Sequence, residues 1–167
     1  VERIYRDWNA FFRRPEAEKA HWRFARETQD GFFPAAVSET AKGQPLRDVK
    51  EFFHYYPWGR CPAALRPDLQ AYHDAGTTLA AELLGWVERH SPPEVAAGYR
   101  EPLSGMIAGS RSTLLRVLHY PPLTGAEPEG AWRAAEHADI NLLTVLPAAS
   151  APGLEVLGRD GRWRAVP

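Results

Sequence analysis

The sequence predicts an α+β fold, with helices first and antiparallel strands after them. Three observations carry this expectation. Apolar residues recur at helical spacing until about residue 110. After Ser112, short apolar runs alternate with turn residues. No internal repeat, low-complexity tract or linker breaks the 167 residues, a length that suits one domain with a core of its own.

Val1, Ile4, Tyr5, Trp8, Phe11 and Phe12 fall on one helical face, so residues 2–12 are expected to form an amphipathic helix. Pro15 followed by Glu16 and Glu18 makes a favourable first turn for a second helix, running to about Arg26. From Gly31 to Pro62 glycines, prolines and aromatics occur without a sustained period, which reads as an ordered loop with one short strand around 49–54. The strongest helical pattern covers 65–90, where Leu65, Leu69, Tyr72, Leu79, Leu83 and Trp86 recur every three, four or seven residues. Ser91-Pro92-Pro93 ends it, because proline lacks the amide donor and restricts the residue before it. A shorter helix is expected over 93–109. Strands are expected over 113–120, 140–146, 154–157 and 163–166. Four short strands cannot complete a closed sheet, so either another segment completes it or the chain is truncated.

Bulk properties exclude several function classes. A net charge of -1 and a pI near 6.7 create no field for nucleic acid or an anionic membrane. No run reaches the roughly 18 apolar residues of a membrane span. Cys61 is the one cysteine, which rules out an internal disulfide framework and fits a reducing compartment. Together with a first residue, Val1, that opens no signal peptide, this makes a cytoplasmic location the expectation.

The one constellation with specific chemistry is Glu136-His137-Ala138-Asp139. On a strand, positions 137 and 139 share a face, so an imidazole and a carboxylate stand side by side. They suit two ligands of a 2-His-1-carboxylate facial triad, which leaves three positions of an iron ion open. The triplet alone is weak, since chance provides roughly 0.25 of them in a chain of this composition. The competing reading is a strand-end histidine hydrogen-bonded to a turn aspartate.

Neighbouring motifs change that balance. Arg116, Tyr120, Pro121 and Pro122 form R-x-x-x-Y-P-P; His137-Ala138-Asp139 opens a Thr/Leu-rich run; Gly153-Leu154-Glu155-Val156 follows; and Asp160-Gly161-Arg162-Trp163-Arg164-Ala165-Val166-Pro167 ends the chain. Upstream stand Gly31-Phe32-Phe33-Pro34 and Asp48-Val49-Lys50-Glu51-Phe52. In this order and spacing the sequence resembles the non-haem Fe(II)/2-oxoglutarate-dependent oxygenase superfamily, in its isopenicillin N synthase-like branch. The resemblance runs from about residue 8 to 167 and is most specific from 114 onward.

The resemblance implies a double-stranded β-helix (a cupin-like jelly roll) flanked by N-terminal helices. Residues 1–111 would be the helical region packing on the barrel, and 112–167 the first half of the oxygenase core. His137 and Asp139 correspond to the family's first two iron ligands. Tyr120 matches a tyrosine that bonds the co-substrate near the metal, or else is a strand-end aromatic capping the core. Leu118 stands where many plant members have asparagine. His54 falls where relatives place residues near the substrate entrance, or else the aromatics there pack a loop. The third iron ligand and the arginine that anchors 2-oxoglutarate would lie beyond Pro167, and an N-terminal segment before Val1, so the natural protein is expected to continue in both directions.

The implied activity is that of a dioxygenase using Fe(II), dioxygen and 2-oxoglutarate, hydroxylating a small molecule such as an amino acid, peptide or natural-product intermediate and releasing succinate and CO2. The expected partners are that substrate, with no nucleic acid and no membrane. Two alternatives stay open: an iron-dependent oxidase of the same fold that does not use 2-oxoglutarate, and a non-catalytic binding module if the natural chain ends at Pro167.

Overall fold

A computed structural model describes residues 1–40 and 45–166. Residues 41–44 of the expected loop, and Pro167 at the end of the D-G-x-W-x-x-V-P run, lie outside the described residues. The helices are α1 (Glu2–Phe12), α2 (Glu16–Ala20), α3 (Arg66–His90), α4 (Pro93–Ala96) and α5 (Leu103–Ile107). The strands are β1 (Gly31–Phe33), β2 (Glu51–Tyr55), β3 (Leu115–His119), β4 (Glu155–Leu157) and β5 (Trp163–Ala165). This is a mixed helix-and-sheet architecture with antiparallel pairing throughout both sheets.

β2 is the central strand of a three-stranded sheet, flanked by β1 and β3. Phe53 lies opposite Phe32 on one side and Val117 on the other. One face of β2 carries Phe53 and Tyr55 into a core with Trp8, Phe11 and Phe12 of α1 and Leu69 of α3. Trp8 and Phe53 have ring centroids 4.7 Å apart, and Phe11 meets Phe53 edge-on at 5.9 Å. These distances lie within the range in which aromatic pairs add to simple area burial. The other face carries Phe52 and His54, covered by stacked Phe33 and Phe24. All five residues of β2 are buried as a result. The central sheet thus joins β2, from the part expected to be helical, to β3, from the expected start of the core.

Buried charge is paired. Lys19 and Glu51 meet at 2.8 Å with both side chains buried, and the second Glu51 oxygen accepts a bond from His119 Nδ1 at 2.9 Å. His119 also stacks on Phe12, so it faces the core. Removing one member of such a set leaves an uncompensated buried charge, which costs far more than the intact set contributes.

Several elements differ from expectation. α2 stops at Ala20 because residues 22–24 turn to pair with β1: Phe32 N donates to Trp22 O and Phe24 N to Phe32 O. β1 itself was hidden in the aperiodic stretch, being three residues long and buried on both faces. The expected 93–109 helix is two short ones, parted near Gly98 and Pro102. His73 of α3 is largely covered and its Nε2 meets Thr113 O at 3.2 Å. The expected 140–146 strand is absent: Ile140 is fully exposed, at 103%, and no described strand lies beside it to complete a ladder. A strand needs a neighbour for its backbone groups, so an apolar run alone does not form one. β4 and β5 pair only with each other.

Candidate metal centre

His137 and Asp139 sit in backbone that belongs to no helix or strand, yet their side chains converge. His137 Nε2 is 3.6 Å from Asp139 Oδ1. Two ligands at right angles on one ion, each about 2.1 Å from it, stand about 3 Å apart. The pair is therefore close to the spacing a shared ion would impose. Both side chains remain about half exposed, at 52% and 47%, leaving room for further ligands.

The tautomer follows from the hydrogen bonds. His137 Nδ1 lies 2.7 Å from the carbonyl of Ala135, which can only accept. A proton is therefore on Nδ1, and in the neutral imidazole the lone pair is on Nε2, the nitrogen that faces Asp139. A metal-binding histidine commonly has its second nitrogen held in this way. Asp139 Oδ2 accepts from Thr144 Oγ1, which leaves Oδ1 as the carboxylate oxygen nearest the histidine. A neutral imidazole nitrogen and a carboxylate oxygen fit a first-row divalent ion such as Fe(II). Among the described residues no third His, Cys, Asp or Glu joins them in a group of three.

The segment bearing His137 is anchored to the sheet by residues of the Asp48-Val49-Lys50-Glu51 motif. Val49 N donates to Trp132 O at 2.7 Å. Asp48 Oδ1 accepts from Ala135 N at 3.1 Å, while its Oδ2 takes Lys50 Nζ at 2.8 Å. Asp48, Lys50 and Ala135 are all buried. Lys50 also reaches Glu39 at 3.4 Å, and Glu39 receives two bonds from the Arg116 guanidinium, at 3.0 and 2.8 Å. Burial raises the Glu39 carboxyl, but Arg116 and Lys50 outweigh it and hold the group below the usual carboxylate range.

Tyr120 follows β3 and is about one-third exposed. Burial pushes its phenol up; Lys50 opposes this, Asp48 adds to it, and Arg116 and Arg133 oppose it. Tyr120 thus feels the same charged groups that anchor the His137 segment. It lines a groove of about 390 Å³ with Tyr5, Phe12, His119 and Pro122; His137 and Asp139 are not among the lining residues.

His54 lies on the central strand, β2. It is buried on the sheet face covered by Phe33 and Phe52, with Nδ1 donating to Gln29 O at 2.9 Å and Nε2 accepting from Arg116 Nε at 3.0 Å. Both nitrogens are occupied within the protein. Burial first, and the Arg116 charge second, bring its pKa down to about 4. Cys61 is buried and its thiol is pushed up to about 11, which suits packing rather than nucleophilic chemistry.

Sequence reasoning alone missed the partners Asp48, Ala135 and Glu39. The Asp48 motif had been visible as a resemblance, but nothing in the linear sequence showed that its carboxylate meets residue 135.

No protein-family model matches the sequence, and no curated protein matches it. Two solved structures are similar along nearly its whole length. A candidate oxygenase from Shewanella oneidensis is 53% identical with a TM-score of 0.83, over 100% of this chain. A candidate 2OG-Fe(II) oxygenase family protein from Caulobacter crescentus is 28% identical with a TM-score of 0.65, over 97% of this chain. The chain spans 58% and 55% of the lengths of these two proteins.

Proposed function

We propose that this chain forms part of an Fe(II)- and 2-oxoglutarate-dependent dioxygenase of the isopenicillin N synthase-like branch, acting on a small molecule and hydroxylating it. The observation that carries the reading is the convergence of His137 Nε2 and Asp139 Oδ1 at 3.6 Å, with the imidazole proton held on the opposite nitrogen. Their similarity to family ligands in the H-x-D run supports the same assignment, and residues 112–167 would begin a jelly-roll core.

When bound, Fe(II) with 2-oxoglutarate supplies the oxidising chemistry that activates dioxygen. His137 would donate its Nε2 lone pair to the ion and Asp139 its Oδ1. The Ala135 carbonyl keeps the imidazole in the tautomer that can do so, and Thr144 orients the carboxylate. Tyr120 would donate its phenolic proton to the co-substrate, a role that requires the protonated form; burial favours that form.

Succinate formation coupled to substrate loss, measured in the natural full-length protein, tests the reading. Replacing His137 or Asp139 with alanine is expected to abolish it. Turnover at the wild-type rate in both variants would overturn the assignment.

A further inference from the structure

We infer that Asp48 is a positioning residue for the metal centre, acting on His137 through the backbone of Ala135; the inference rests on the assignment of His137 as a metal ligand. Ala135 is held at both ends of its backbone. Its N–H donates to Asp48 Oδ1 at 3.1 Å, and its carbonyl accepts the His137 Nδ1 proton at 2.7 Å. A single carboxylate thus controls where the acceptor for the imidazole stands, and so where Nε2 points.

Asp48 is itself fixed from three sides. Its second oxygen holds Lys50 at 2.8 Å, its carbonyl accepts from Ser38 Oγ at 2.6 Å, and its N–H donates to Glu39 O at 3.2 Å. Asp48, Lys50 and Ser38 are buried beside β2, a strand enclosed along its whole length. His137 and Asp139, by contrast, are half exposed in backbone that belongs to no sheet. A ligand pair on such a segment gains its geometry only from what ties it to rigid structure. Besides the Asp48 bond, the described tie from this segment to the sheet motif is Val49 N to Trp132 O, three residues further from His137. Asp48 therefore decides the geometry nearest the ligand.

Two double variants isolate the carboxylate oxygen without stranding the Lys50 charge. Asp48→Leu with Lys50→Met removes the acceptor for Ala135 N. Asp48→Asn with Lys50→Met keeps an oxygen there. The natural full-length protein and each variant are titrated with Co(II), read by its visible absorption, and followed by hydrogen exchange. The Leu double variant is expected to weaken Co(II) binding about 10- to 100-fold, the range seen when outer-shell partners of a ligand are lost, and to speed exchange across 131–139. The Asn double variant is expected to stay within about threefold of wild type. Equal Co(II) affinity in the two doubles would overturn the positioning role. His137→Ala separates the two levels: if it binds Co(II) as wild type does, the metal assignment falls and this inference with it. If His137→Ala loses binding while the doubles match, only the role of Asp48 falls.

Discussion

His54 makes the protein sensitive to mild acid in a way that can be worked from its surroundings. In the folded chain its pKa is brought down to about 4, against about 6.5 for the free side chain, because it is buried and accepts a bond from the Arg116 guanidinium. The unfolded chain therefore takes up a proton near pH 6.5 that the folded chain refuses until about pH 4. For a depressed histidine, stability is complete above the unfolded value and is lost as pH falls toward the folded one. Between pH 7 and pH 5 the linkage amounts to about 2 kcal/mol, a large share of a typical domain's stability. The lowered Glu39 and Asp30 carboxyls act in a more acidic window, below their ordinary values of 4.5 and 3.8. His54→Gln removes the titration while keeping one donor for Gln29 O and one acceptor for Arg116. Urea unfolding of both proteins from pH 7.5 to 5 measures the effect. Wild type is expected to lose about 2 kcal/mol more than the variant over that interval. A stability difference that stays constant with pH would refute the reasoning, and would show a His54 free to ionise, as a residue lining an open site would be.

The core and one turn supply further tests by thermal or urea unfolding. Phe53→Ala, at the centre of the sheet against Trp8 and Phe11, is expected to cost about 3–5 kcal/mol; a loss under about 1 kcal/mol would contradict the packing described. Gly31→Ala is expected to cost roughly 2–5 kcal/mol, because Gly31 has φ 109° and an added Cβ would stand 2.5 Å from Trp22 O, a backbone atom that cannot swing aside. A neutral substitution there would mean that the pairing of residues 22–24 with β1 is not maintained in solution.

Helices α1 and α3 were legible from residue order because their information is local. The apolar face of α1 and the long run of α3, with its Pro-Pro stop, differ from expectation by a residue at most. β3 and the β4 and β5 hairpin strands also lay within the expected runs. The His137–Asp139 pair was identifiable too, although by its spacing within a larger order of motifs rather than by strand geometry. The structure brings the two side chains together without a strand.

What residue order left open was decided by pairing between distant segments. Strand β1 and the early end of α2 exist because residues 22–24, 31–33 and 51–55 meet, and a three-residue strand carries no period of its own. The apolar run at 140–146, with no described neighbour, stayed irregular for the converse reason. His54 belongs to a buried network because Arg116, 62 residues away, is paired opposite it on β3. The sequence by itself determined the local helices, the turn residues and the identity of the candidate ligands. Only the tertiary structure decided which side chains hold those ligands in place, since hydrogen bonds and ion pairs depend on distances that no spacing along the chain contains.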